Sequence, residues 1–304
     1  MKKINSYSFL TIGKTKESAE QQEFKKYIGL ASSYIIAVNP NKKELEEIYG
    51  NTQENEPEYV REDDNGKYVN ITFITKTVPE LNNGIEIISR LMFTLRASAA
   101  YNRDQTKVQV LDGYGNSTWA NIEDAKAGKA ILTANGNPAK IDTKYRMACV
   151  GEADLVGFLK TYLCVEDAFK YVNGSWVKKD NADECKFALD NLKDYFKGNF
   201  SELREALKMQ PNNKVKLLYG VRTADTENGP RQYQAVASRS DLILANNAGS
   251  NAIARLEKNL ANAKQNGAYA STDFKVCELT EWEVTPTNLE KPAEDPLGSD
   301  LPWE

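Results

Sequence analysis

Between Tyr68 and Asn121 the chain alternates apolar and polar side chains with a period of two, and no other feature restricts its fold as strongly. In YVNITFITKT, Val69, Ile71, Phe73 and Thr75 share one face of an extended chain, because successive strand side chains point to opposite sides. GIEIISRLMFTLRA supplies a second strand from Ile85 to Leu95, long enough to hold a bulge. KVQVLDGYGNSTWAN reads as a strand over Val108–Leu111, a tight connection over 112–116 and a short strand over 117–120. The middle of the chain is therefore expected to be an antiparallel meander.

Helical signals surround it. Tyr34 to Val38 favours a strand, and Asn41 with Glu44 three residues on has the form of a capping box that opens a helix ended by Gly50. Leu155, Phe158, Leu159, Tyr162 and Leu163 recur at helical spacing and predict a helix facing the core. Residues 182–197 and 201–209 predict two more helices, interrupted at Gly198, with Ser201 as an N-cap. Strands resume at VKLLYGVR and RQYQAVAS, a last helix is expected over 251–264, and FKVCELTEWEV predicts a last strand. Seven or eight strands with irregularly placed helices give an α+β class, without the alternation of a doubly wound sheet.

This pattern divides the chain into a polar N-terminal arm (1–26), one α+β domain (27–288) with a helical insertion at about 151–209, and an acidic C-terminal tail (289–304). The formal charge is −4. Glu290, Glu294, Asp295, Asp300 and Glu304 against Lys291 place that whole excess in the tail, so the body is neutral and a uniformly basic nucleic-acid binder is not indicated. The chain has no histidine and no Cys-x-x-Cys, which removes the usual zinc spacings and imidazole-based nucleophilic catalysis; no metal and no cofactor is expected. Neither GxxxxGK[ST], GxGxxG after a strand nor GxSxG occurs. Acidic pairs such as Asp63 with Asp64 and Glu46 with Glu47 sit in solvated contexts, and no catalytic residue or enzyme activity is expected. Cys149, Cys164, Cys185 and Cys277 read as buried free thiols. With no apolar run of bilayer length and no secretory leader pattern, a cytoplasmic location and no membrane partner are expected.

What remains is a set of rings and cations on the β segments. Arg90, Arg96, Tyr101, Arg103, Lys107, Tyr114 and Trp119 lie in the meander, and Lys144, Tyr145 and Arg146 on the next strand. Arg222, Arg231 and Tyr233, with Tyr219 and Arg239 beside them, flank the later hairpin. Unpaired nucleic acid is held in this way, with cations along the phosphates and bases stacked on aromatic faces. Tyr114 and Trp119 stand out because a Gly-rich connection has few reasons to bury a ring. The tail residues Asp295, Asp300, Leu301, Pro302 and Trp303 combine carboxylates with an apolar tip, a form suited to docking on a basic-rimmed pocket of a partner. The same tail is also expected to compete at low salt for a cationic groove of the chain itself.

The ending Asp300-Leu301-Pro302-Trp303-Glu304 resembles the acidic tail of bacterial and phage single-stranded DNA-binding proteins, with Trp in place of Phe and one further residue after the ring. The body resembles single-stranded DNA-binding proteins of tailed phages, relatives of crAss-like phages among them. The resemblance is carried by YIGLASSYIIAVNPNKKELEEIYG, KVQVLDGYGNSTWA, YRMACVGEADLVGFLKTYL and a YQAV strand near residue 233. It implies an antiparallel OB-like β-barrel elaborated with inserted amphipathic helices. It also implies sequence-nonspecific single-stranded DNA binding in phage replication or recombination, with replication or recombination proteins recruited through the tail. A non-enzymatic virion component is the alternative, since it too needs no catalytic motif.

Overall fold

The small and β-branched residues YIGLASSYIIAV form β1 (Tyr27–Val38). The chain then turns into α1 (Lys42–Tyr49), bounded as the sequence predicts. Asn41 Oδ1 accepts from the Glu44 amide at 2.9 Å, Glu44 Oε2 accepts from the Asn41 amide at 2.8 Å, and Gly50 ends the helix at φ 68°. β2 (Val60–Asp63) and β3 (Gly66–Thr77) form a hairpin whose turn is held by the Asn65 amide donating to Asp63 Oδ1. β4 (Ile88–Ala99) runs back along β3 in a register from Tyr68↔Arg96 to Lys76↔Ile88. The computed structural model describes residues 25–127, 145–163, 169–172, 175–180, 189, 192–208, 213–226 and 229–283.

Beyond β4 the expected meander divides. β5 (Lys107–Asp112) and β6 (Ser117–Asn121) leave the main sheet, and after α2 (Ile122–Lys126) they are joined by β7 (Tyr145–Met147) in a three-stranded sheet of order β6-β5-β7. Two residues on, β8 (Cys149–Val150) pairs with β4, so one short stretch stitches the two sheets together. Periodicity reports which side chains share a face, not which strand lies alongside, and so it does not register this change of partner.

Next come α3 (Glu152–Leu163), the hairpin of β9 (Phe169–Val172) and β10 (Ser175–Lys178), then α4 (Leu192–Tyr195) and α5 (Ser201–Lys208). Of the helix expected over 182–197, the described helical part is α4 alone. β11 (Val215–Thr226), β12 (Gly229–Val236), β13 (Leu244–Ala245), α6 (Ser250–Gln265), β14 (Thr272–Phe274) and β15 (Thr280–Glu281) complete the order. The single last strand expected over 274–284 is thus replaced by two short ones, β14 on β11 and β15 on β1.

The fold is a mixed α+β arrangement whose mostly antiparallel main sheet, in the order β12-β11-β1-β3-β4-β8, curls into a half-barrel of six strands. The curl brings β12 near β4. Inside it, Val69, Ile71 and Phe73 of β3 and Leu91, Phe93 and Leu95 of β4 pack with Leu155, Phe158, Leu159 and Tyr162 of α3. The Phe158 ring lies 4.9 Å from Phe73 and 5.3 Å from Phe93, and burying each such ring contributes roughly 1.5–3 kcal/mol. Hydroxyls pair deeper in the same interior: Tyr219 with Ser33 at 3.0 Å, Thr75 with Ser89 at 2.9 Å.

α6 covers part of the outer face of β1, β11 and β12, with Leu30, Leu218 and Ala235 against Leu256, Leu260 and Phe274. Gly220 makes this possible, because a Cβ there would stand 2.3 Å from the Asp273 carbonyl and 2.5 Å from the Phe274 ring. Cys149 is partly buried and Cys277 is exposed, which corrects the expectation of buried thiols at both. Among the described residues no helix is long and apolar enough to cross a membrane. Residues 1–24 of the arm, Cys164, Cys185 and the tail from 284 lie outside the described residues.

Candidate nucleic-acid interface

β11 and β12 pair from Tyr219↔Val236 to Thr226↔Gly229, which sets Arg222 directly opposite Tyr233. Arg231 lies two residues before Tyr233, so the pleat turns all three side chains to one face. All three are exposed, Tyr233 at 45%. Among the described residues no carboxylate pairs with Arg222 or Arg231, and no group stacks on Tyr233. The hairpin therefore presents one ring and two uncompensated guanidinium groups.

A second group sits on the three-stranded sheet. Val108, Val110 and Ala120 turn into a small apolar cluster, so the opposite face of β5 and β6 carries Lys107, Gln109, Trp119 and Asn121. Trp119 is 45% exposed and Lys107 is exposed. Arg146 of β7 lies opposite Leu111 on that same face. Its charge is already engaged, because Arg146 Nη2 donates to Glu152, a carboxylate with no solvent exposure that also accepts from the Cys149 amide at 3.0 Å. Burial, and then the neighbouring Glu152 charge, push the Cys149 thiol up to about 12.

Arg90 and Arg96 form a third group on the outer face of β4. Arg96 makes a two-pronged bond to Asp63 at 2.9 Å through each nitrogen and lies over Tyr68 at 5.2 Å. This bond holds the Asp63 carboxyl below its ordinary range. Arg90 lies over Tyr49 at 5.4 Å, and its Nε donates to the Tyr49 hydroxyl at 3.3 Å. The first and third groups share the outer face of the main sheet, with α6 packed between them on β1 and β11.

The remaining expected residues separate. Tyr101 is exposed but bridges to Val108, on the opposite face of β5 from Trp119, and Arg103 lies exposed in the turn before β5. Tyr145 packs beside Val108 and Val110, its hydroxyl donating to the Asp124 carbonyl at 3.1 Å. Tyr114 is only 3% exposed and offers no face to a base, which corrects the reading of its Gly-rich connection. Asp112 Oδ1 accepts from the amides of Tyr114 and Asn116, and Lys160 of α3 donates to Asn116 Oδ1 at 2.6 Å, so the loop is a folded cap docked on α3. Tyr219 is wholly buried, and Arg239 is bound to Asp241 at 3.0 and 2.7 Å. Lys144 and the tail residues Asp295, Asp300, Leu301, Pro302 and Trp303 lie outside the described residues.

Sequence reasoning did not single out Tyr49 or Tyr68, the rings beneath Arg90 and Arg96. Tyr68 becomes visible only once the β3–β4 register is known, and Tyr49 only once the end of α1 is seen to meet Arg90 of β4. Comparison with known proteins gives no match to a family model, to a curated protein or to a solved structure.

Proposed function

We propose that this chain binds single-stranded DNA without regard to sequence and acts in phage DNA replication or recombination, its acidic tail recruiting partner proteins. The observation that carries the reading is the β11–β12 hairpin, where Tyr233 has Arg222 across the pair and Arg231 two residues along its own strand on one exposed face, and neither guanidinium is compensated among the described residues. A base stacks on the ring while the flanking phosphates meet the cations. Trp119 with Lys107 supplies a second contact of the same kind. In this proposal the half-barrel is an OB-type barrel left open, with β1, β3, β4, β11 and β12 as its strands and the helices as elaborations. The antiparallel curl and the approach of β12 to β4 support that assignment. The tail's role rests on its net −4 charge and its Leu-Pro-Trp tip.

The test is a fluorescence titration of the intrinsic tryptophans with oligo(dT) and with a duplex of equal length at two salt concentrations. Saturable binding of the single strand that weakens steeply with salt, and weaker binding of the duplex, is expected. Equal affinity for both forms, or none for either, refutes the proposal.

A further inference from the structure

The part of the outer sheet face that α6 leaves open carries a groove of about 400 Å³, walled by α1 and by residues 57–61. Ile74 of β3 and Leu45 of α1 line it but are buried, so the apolar surface it offers is that of Pro57, Tyr59 and Met92 of β4, with Glu58, Arg61 and Arg90 around it. Tyr59 is a fixed wall: its hydroxyl donates to the Pro40 carbonyl at 2.7 Å, and its ring meets Phe200 edge-on at 6.1 Å. Arg90 is fixed as well by Tyr49, yet no carboxylate among the described residues neutralises it. Among the described residues Arg61 pairs with Glu58 alone, at 3.3 Å and in solvent, a contact that yields easily to a stronger anion. Asn70 and Thr72 add an amide and a hydroxyl to the lining, and Glu58 a carboxylate.

From this geometry we propose that the groove is a nucleotide-binding site, which takes the base of a single nucleoside monophosphate unit against Tyr59 and Met92 and its phosphate at Arg90. The volume is near the lower end for small-ligand pockets, the size of one nucleotide rather than of a docked helix. Strand addition by a peptide is excluded on β3, which is paired with β1 and β2 on one side and β4 on the other. An exposed thioether at Met92, one rigid ring and a guanidinium that no carboxylate neutralises among the described residues are a combination that suits a planar base bearing a phosphate. The site is separate from the hairpin and stands whether or not strands bind there.

Methyl NMR on the full chain labelled at its methionines tests it. The chain has four methionines; Met92 reports on the groove, and Met147, exposed on β7, serves as an internal control. Titration with dAMP is expected to move the Met92 methyl resonance and leave Met147 in place. Deoxyadenosine, which lacks the phosphate, is expected to bind about tenfold more weakly, and Arg90→Ala to abolish that difference. Arg90 is exposed, so an unchanged Met147 resonance shows that the variant is folded. A stationary Met92 at saturating dAMP overturns the inference, as does equal binding of dAMP and deoxyadenosine. Movement of Met92 by a synthetic peptide of residues 290–304 but not by dAMP also overturns it, and makes the groove a protein-docking site. If oligo(dT) binds while Met92 stays still under both oligo(dT) and dAMP, the groove fails and the hairpin reading survives; if dAMP moves Met92 while oligo(dT) does not bind, the reverse holds.

Discussion

Replacing both Arg222 and Arg231 with Ala separates phosphate neutralisation from base stacking. Each cation that meets a phosphate displaces counterions, and for single strands this contributes about 0.7 to the slope of log K against log salt. The double variant is therefore expected to flatten that slope by about 1.4. Tyr233→Ala leaves the slope unchanged and lowers affinity at every salt concentration, by the ~1–3 kcal/mol that one base–ring stack contributes. Since all three side chains are exposed, stability should stay within about 0.5 kcal/mol of the parent, and a binding defect is then not a folding defect. Arg239→Ala is the matched control, because Arg239 is of the same type but is held by both oxygens of Asp241. The assay is oligo(dT) titration over at least a tenfold salt range. An unchanged slope in the double variant, or an equal flattening in Arg239→Ala, would refute the reasoning.

Deleting residues 290–304 removes a net −4 charge and is expected to leave oligo(dT) binding intact or tighter, most visibly at low salt; weaker binding would show that the tail is no competitor. Site-resolved alkylation at pH 8.5 should modify Cys277 well before Cys149, whose thiol burial holds neutral. Because the folded pKa of Cys149 is raised to about 12, the unfolded chain loses this proton first, so the stability contribution is whole below the ordinary thiol value of 9.0 and declines as pH rises from there towards 12. Thermal melts between pH 8 and 10.5 on the parent and on Cys149→Ala measure it: the parent's stability should fall more steeply. Phe158→Ala should cost about 3–5 kcal/mol in urea unfolding, since its ring touches Phe73, Phe93 and Tyr162 at once.

The elements that sequence foretold are those whose signal is local. The capping box at Asn41 and Glu44, the shared face of Val69, Ile71 and Phe73, and the α3 stripe through Leu155, Phe158 and Leu159 depend on residues within a few positions of each other. What was not legible depends on partners far along the chain. Trp119 and Tyr114 lie five residues apart in one Gly-containing stretch, yet one is 45% exposed and the other 3%. Lys160, 44 positions from the Asn116 it binds, ties the connection to α3, while Trp119 stays on the open face of β6.

The same distinction orders the cations. Arg96, Arg146, Arg222, Arg231 and Arg239 are alike as residue types in a β context, and only their partners divide them. Asp63, Glu152 and Asp241 engage Arg96, Arg146 and Arg239, and those guanidinium groups fasten the fold. Arg222 and Arg231 have no such carboxylate among the described residues. An arginine already paired has to give up its carboxylate before it meets a phosphate, whereas an unpaired one exchanges only water and counterions. That difference concentrates the argument for binding strands on the hairpin, even though the sequence weighted the central meander more heavily.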